Sequence, residues 1–164
     1  MFDQLLENTI LLFVAVDPIA LVPIFASLTQ GLNKGDIKKI YIQATIVSFF
    51  VLSLFYIFGT AILDLMGISM SSFKIIGGLF LVVIAFQMVL EQRQTRRQNT
   101  AEVALDDESI QSLAIFPLAI PLIAGPGAMT TALLIAETNV INTTEMLINF
   151  IPILIIIVLV AFAM

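Results

Sequence analysis

Apolar residues run through this chain in five long stretches that are separated by short polar segments. Each stretch is close to the roughly 20 residues that a helix needs to cross the hydrocarbon core of a bilayer. Their side chains are apolar on all sides of the helix, whereas a soluble amphipathic helix is apolar on one face only. We therefore predict an all-α, polytopic helical membrane protein whose spans cover residues 8–30, 40–63, 73–90, 113–136 and 146–164.

A carboxylate and two prolines interrupt the first of these spans, in the segment FVAVDPIALVPIF (residues 13–25). Asp17 directly precedes Pro18 there. Asp is favoured as the N-cap of a helix and Pro as its first residue, so this dipeptide predicts that a new helix begins near the middle of the span. Pro23 is expected to break the helix again, because proline removes a backbone donor and clashes with the preceding turn.

The fourth span carries the second interruption, in the segment IFPLAIPLIAGPGAMTT (residues 115–131). Pro117 and Pro121 are expected to break its first half. Gly125 before Pro126 repeats the arrangement of an N-cap and a first-position proline, and Gly127 follows. Both spans are therefore predicted to consist of two half-helices. Non-helical backbone at this depth is tolerated only inside protein or beside a polar cavity.

The two interruptions are 108 residues apart in the chain (126 − 18). Adding 108 to the second span predicts a span at 148–171, close to the fifth apolar stretch, and adding it to the third predicts one at 181–198. We therefore expect an inverted three-plus-three helix repeat, a common architecture of secondary transporters. Residues 1–90 would form the first repeat, residues 91–112 a cytoplasmic linker, and residues 113–164 a second repeat that ends within its second helix.

Charged residues are confined almost entirely to the segments between the spans. They make up 12% of the chain, about half of what a soluble domain carries, and 60% of the residues are hydrophobic. Lys and Arg favour the cytoplasmic side of a membrane. Lys34, Lys38 and Lys39 therefore place residues 31–39 in the cytoplasm, and three arginines place residues 91–112 there. The N-terminus is then outside.

The composition also excludes several classes of function. The chain has no Cys and no His, which removes thiol chemistry and most transition-metal sites. Asp17 is the only acid within a span, so a pair of intramembrane catalytic carboxylates is absent and we expect no enzyme activity. No metal or other cofactor is expected, and no basic surface suggests nucleic acid. The expected partners are the lipid bilayer and a small solute; the oligomeric state stays open.

Three segments resemble the MarC family of bacterial inner-membrane proteins. They are DPIALVPIF in the first span, FKIIGGLFLVVIAFQM in the third and PLAIPLIAGPGAM in the fourth. The resemblance implies a six-helix, multi-pass protein of the bacterial inner membrane, with relatives among the LysE-type exporters of amino acids. It implies no particular substrate. The first motif of the family usually has Gly two residues after the Pro, and Ala20 stands at that position here.

The two helix starts predict a binding site near the midplane of the membrane. A helix N-terminus presents unpaired N–H groups and about half a unit of positive charge, which suits an anion or carboxylate. Hydroxyl groups one turn further on would add donors. The site is predicted to bind an amino-acid-like solute or a small organic anion, and its candidate residues are Asp17, Pro18, Gly125, Pro126, Gly127, Thr130 and Thr131.

Alternatives remain for each of these residues. Asp17 binds an ammonium group, carries a coupling proton, or serves only as an N-cap for the amides that follow it. The segment 125–127 forms either part of the site or a kink for packing. Gly77 and Gly78 are small and are expected at contacts between helices. Hydrogen bonds between helices are expected for Gln43, Gln87 and Asn149. A small-solute exporter is the preferred function, and a non-transporting membrane scaffold or regulator is the alternative.

Overall fold

The computed structural model describes residues 2–90, 114–137 and 143–164, and these are almost entirely helical. The described helices are α1 (Phe2–Val16), α2 (Pro18–Leu28), α3 (Lys34–Leu65), α4 (Met70–Val89), α5 (Pro126–Glu137) and α6 (Thr143–Ala163). An irregular stretch, Ala114–Ile123, contains Pro117 and Pro121 and is called the double-proline segment below. The predicted linker at residues 91–112 lies outside the described residues.

Five membrane spans can be assembled from these elements. α1 and α2 together form one apolar span, Phe2–Leu28, and α3, α4 and α6 each provide another. The double-proline segment and α5 form the remaining span, which is bent by 57°. The prediction of an all-α polytopic membrane protein is therefore confirmed, with four candidate spans among the described residues, or five when the bent pair is counted as one span.

The connection between the first two spans, predicted to be cytoplasmic, is shorter than the predicted 31–39, because α3 already begins at Lys34. Its N-cap is Asn33, whose Oδ1 accepts a hydrogen bond from the Asp36 amide at 2.9 Å. The Asn33 Nδ2 in turn donates to Asp36 Oδ2 at 2.6 Å, and Lys39 Nζ lies 3.2 Å from Asp36 Oδ1. This reciprocal cap holds the lysine-containing sequence in the first turns of the helix.

Helix contacts within the bundle follow a crossed pattern. α1 packs on α5, and α2 packs on the double-proline segment, so each half of the first span contacts the opposite half of the fourth. Both halves of the first span also pack on α6, while both halves of the fourth pack on α3. Exchanging the first span with the fourth, and α3 with α6, maps each of these contacts onto another one.

Close packing between these helices depends on glycines. A Cβ atom on Gly59 of α3 would lie 2.7 Å from the side chain of Leu133, so the glycine lets α5 approach closely. Gly77 of α4 gives similar room to Thr130, whose methyl group would lie 2.9 Å from an added Cβ. Small residues have this role in membranes because lipid supplies no hydrophobic force that drives helices together. Gly78, by contrast, faces open space.

α4 is the most exposed of the spans. Among the helices described, it packs mainly on α5. Ile75, Ile76, Leu79 and Phe86 are each between 64% and 74% exposed. Such a surface is stable in contact with lipid chains, as expected for a helix at the edge of a membrane bundle.

Candidate functional site at two helix breaks

Asp17 is the single residue that separates α1 from α2. Its backbone has φ 57° and ψ 67°, in the left-handed region, and its amide donates to the Phe13 carbonyl at 2.7 Å. Its side chain accepts a hydrogen bond from the Ala20 amide at 3.3 Å. Asp17 therefore ends α1 and caps α2 at once. Asp and Asn adopt the left-handed conformation more readily than other residues with a side chain.

The surroundings of Asp17 fit this double role. The residue is half-buried, while Val16 and Pro18 on either side of it are buried. Pro18 begins α2, as the sequence predicted, and needs no hydrogen-bond acceptor at that position. Ala20 is buried too, and its amide is the one that binds the cap. A carboxylate is thereby held at a fixed position in the middle of an apolar span.

Pro23 differs from its expected role as a helix break. α2 continues through Pro23 to Leu28, and the proline ring lies on an exposed face of the helix. Proline at this position removes only the hydrogen bond to the carbonyl of Ile19, and neighbouring turns retain theirs. The first span therefore contains a single interruption, at Asp17.

The double-proline segment leaves helical geometry at two residues. Phe116 has φ −128° and ψ 125°, and Ile120 has φ −128° and ψ 121°. Each directly precedes a proline, a position that is biased toward extended backbone, and both X-Pro peptide bonds are cis. Pro117 and Pro121 therefore interrupt the first half of the fourth span, as predicted from the sequence.

Gly125 is the N-cap residue of α5. Its carbonyl accepts the first helical hydrogen bond, from the Met129 amide at 2.9 Å. A Cβ atom on Gly125 would lie 2.5 Å from the carbonyl oxygen of Pro121, so the chain can close this turn only with glycine. The helix then starts at Pro126, the position that the Gly-Pro dipeptide predicted.

The next residues of α5 are turned mainly toward neighbouring helices. Gly127 is buried and receives the side chain of Ile84 from α4, which an added Cβ would strike. The methyl group of Thr130 packs on Gly77. Thr131 is 1% exposed, and its hydroxyl donates to the Gly127 carbonyl at 2.8 Å within its own helix. The Thr131 hydroxyl is therefore bonded within α5, whereas both threonines were candidate donors to a solute.

The structure brings the two broken spans against each other. α1, which ends at Asp17, packs on α5, which begins after Gly125. α2 packs on the double-proline segment. Both interruptions thus belong to the same pair of contacting spans.

A buried amide pair lies between α1 and α6. The Asn8 Nδ2 donates to Asn149 Oδ1 at 3.3 Å, and the two residues are 6% and 4% exposed. Asn149 thus makes the expected bond between helices, whereas the part of the structure described shows none for Gln43 or Gln87. Asn8 was missed as its partner because it follows a polar N-terminal segment, so its sequence position gave no sign that it is buried.

Fold and helix breaks together define a class: a polytopic α-helical membrane protein in which two contacting spans are interrupted near their middles. Comparison of the sequence with known families gives the same class and a family. Residues 2–164 match the sequence model of the MarC family, described as integral membrane proteins, and the chain belongs to that family. The expected resemblance is confirmed.

Related proteins occur in both archaea and bacteria. A UPF0056 membrane protein of Methanocaldococcus jannaschii is 42% identical over 129 residues, which are 78% of this chain and 56% of the relative. One from Archaeoglobus fulgidus is 38% identical, over 76% of this chain and 57% of the relative. YvbG of Bacillus subtilis is 32% identical, over 81% and 63%.

The chain therefore spans less than two thirds of the length of these relatives. Their names describe membrane proteins and state no substrate. No solved structure matches the chain.

Proposed function

We propose that this protein is a secondary transporter, most simply an exporter, of a small polar solute. The solute is an amino-acid-like molecule or a small organic anion, and it binds between the two broken spans. The observation that carries the proposal is the pair of helix breaks in contacting spans, with a carboxylate at one of them. Intramembrane acids mark substrate or ion pathways in most membrane proteins, because an idle charge there costs about 3 kcal/mol.

The chemistry of the two breaks is complementary. Asp17 supplies negative charge that suits an ammonium group or a proton. The N-terminus of α5 has no acidic residue in its first turn, so its dipole favours a carboxylate. A zwitterion would satisfy both ends, and a proton on Asp17 would serve as the coupling ion for a simple anion. Catalysis has no part in this proposal.

The crossed contacts between spans support an inverted repeat as the framework of transport. The pattern of helix contacts stays the same when the first span is exchanged with the fourth and α3 with α6. Inverted repeats place binding sites at discontinuous helices, and the halves rock around such a site. We place the protein in the plasma membrane, the inner membrane where there are two, with residues 31–39 and 91–112 in the cytoplasm.

A second candidate function is a non-transporting membrane scaffold or regulator. Two contacts favour it: Ile84 fills the space beside Gly127, and Thr131 bonds within its own helix. In this case Asp17 is a cap and the fourth span is bent for packing. Both functions predict a folded membrane protein, so only the response to solutes distinguishes them.

Thermal unfolding of the purified protein tests the proposal. The melting temperature would be measured with a panel of amino acids and small organic anions, at several pH values. A solute at about 100 times its Kd stabilises the folded state by roughly 2.7 kcal/mol. We expect one solute class to raise the melting temperature of the wild type and to fail with Asp17→Asn. Asp64→Asn is the matched control, since Asp64 is an exposed acid near the end of α3. No response from any solute would favour the scaffold, and equal responses of both variants would show that the solute binds without Asp17.

A further inference from the structure

Two hydrogen bonds join the predicted repeats at the end of the bundle where α1 begins, called the α1 end below. The Asn8 Nδ2 of α1 donates to Asn149 Oδ1 of α6 at 3.3 Å. The Tyr56 hydroxyl of α3 donates to the Met146 carbonyl of α6 at 2.8 Å. The ring of Phe150, next to Asn149, meets the Tyr56 ring edge to face at 5.4 Å, so both bonds belong to one contact region. Each bond connects a helix of the first repeat with a helix of the second.

The amide pair of Asn8 and Asn149 lies between the α1 end and the helix break at Asp17. The two residues are 6% and 4% exposed. On α1, the buried face continues from Asn8 through Leu12 to Val16, the neighbour of Asp17. Asn8 and Val16 are eight residues apart (16 − 8), which is about 12 Å along a helix. A water molecule or solute that follows this face from the α1 end to Asp17 therefore passes the amide pair.

The corresponding contact at the opposite end of the bundle is different in chemistry. Exchange of the spans maps the contact of α1 with α6 onto that of the double-proline segment with α3. With the shift of 108 residues, Asn8 corresponds to Phe116 (8 + 108) and Asn149 to Tyr41 (149 − 108), near the start of α3. Phe116 is 54% exposed and has extended backbone, and Tyr41 is half-buried. A bond like that of the amide pair cannot form between these side chains, because the phenylalanine ring has no polar atom.

The strength of the amide bond suits a contact that opens and closes. Hydrogen bonds between membrane helices shift an equilibrium by roughly threefold on average and by roughly fifteenfold at most. A bond of this size favours the closed contact without making it permanent. When the two helices separate, water can bond to both amides, so the open arrangement leaves no buried polar group without a partner.

We propose that Asn8 and Asn149 form a gate, whose hydrogen bond closes the path to Asp17 from the α1 end. This gate is closed in the structure, and Asp17 is reached from the end that carries Phe116 and Tyr41. Separation of α1 from α6 breaks the bond and opens the path to the other side of the membrane. The inference rests on the proposed transport function and specifies how access to its site alternates between the two sides.

Labelling of a single cysteine tests the gate, because the chain itself contains no cysteine. Val16→Cys places a thiol of similar size on the buried face beside Asp17. A charged, membrane-impermeant methanethiosulfonate reagent is added to right-side-out or to inside-out vesicles. Asp3→Cys, at the exposed start of α1, identifies the side on which the α1 end lies. Labelling rates are measured for the Val16→Cys protein alone and after the further substitution Asn8→Leu or Asn149→Leu.

Ser48→Ala in the same Val16→Cys protein is the matched control, because the buried Ser48 hydroxyl donates to the Ala44 carbonyl within α3. We expect Asn8→Leu and Asn149→Leu each to raise the labelling rate from the α1 end by roughly three- to fifteenfold. No rise is expected from the opposite side, and none from either side in Ser48→Ala.

Unchanged rates in the two Asn variants, or an equal rise from both sides of the membrane, would overturn the gate. An equal rise is the result of a general loosening of the bundle, so it separates a structural role of the amide pair from the proposed one. The two substitutions are made separately, so that one remains informative if the other does not fold. Labelling needs no solute, so failure of the gate is distinguishable from failure of the transport hypothesis, which the solute panel tests.

Discussion

Substitutions of Asp17 can separate its backbone conformation, its capping bond and its charge. Asn retains two of these features, because it tolerates the left-handed region and caps helices as well as Asp does. Gly fits the backbone but has no capping side chain. Ala has neither property: it loses the bond from the Ala20 amide and must adopt φ 57° with a Cβ atom.

The expected free energies of unfolding follow from these differences. Loss of a cap costs about 1 kcal/mol on replacement by Ala but only a few tenths on replacement by Gly. A left-handed Ala costs about 1–2 kcal/mol more. We therefore expect Asp17→Ala to lose about 2–3 kcal/mol, and Asp17→Gly and Asp17→Asn to lose less than about 0.5 kcal/mol each.

Equilibrium unfolding in mixed detergent micelles, followed by circular dichroism, measures this series. If Gly is as destabilising as Ala, the left-handed backbone is not a significant constraint and the reasoning from φ is refuted. If Ala is tolerated, neither cap nor conformation matters for stability. Asn as damaging as Ala would show that the carboxylate charge itself holds the fold together at this position.

Three further predictions concern the same kind of measurement. Gly125→Ala should destabilise by about 1–3 kcal/mol, since its Cβ meets rigid backbone, whereas Gly78→Ala faces open space and should be neutral or slightly stabilising. Equal effects of the two would contradict the close turn. A double-mutant cycle of Asn8→Leu and Asn149→Leu should give a coupling of about 0.6–1.7 kcal/mol; zero coupling would show that the bond contributes nothing. Asn33→Ala should lose about 1 kcal/mol from the cap of α3, and no loss would mean that the start of α3 needs no cap.

Span positions could be predicted from the sequence because they depend on length and apolarity alone. The start of α3 could not, since Lys34 and its neighbours read as a charged loop. The pattern of polar residues does not show that Asn33 and Asp36 bond to each other, and these bonds allow a helix to begin at the charged residues. Polar composition indicates exposure to water, and exposed residues can be helical when the first amides are capped.

The candidate site was predictable in its backbone and much less in its side chains. Asp-Pro and Gly-Pro placed two helix starts correctly, because capping preferences are local. The left-handed backbone of Asp17 could not be predicted, because an N-cap residue is normally extended. The hydrogen bond from the Asp17 amide to the Phe13 carbonyl, which shows that α1 ends on this residue, is visible only in the structure. Thr130 packs its methyl group on Gly77 of α4, a contact that no local rule supplies, whereas the Thr131 hydroxyl bonds to the Gly127 carbonyl of its own helix.

The difference between the two breaks decides how the transport hypothesis can be tested. At Asp17 the chain keeps a nearly continuous helix and adds a charge, so Asp17→Asn changes charge and spares the backbone. At Gly125 the chain has no side chain and bends by 57°, so Gly125→Ala changes backbone and spares charge. A binding site formed by both breaks should lose solute affinity in either variant. A scaffold binds no solute, so only its stability can change, and we expect that change in Gly125→Ala alone. Asp17→Asn should leave the stability of a scaffold nearly unchanged, because Asn caps a helix as well as Asp does.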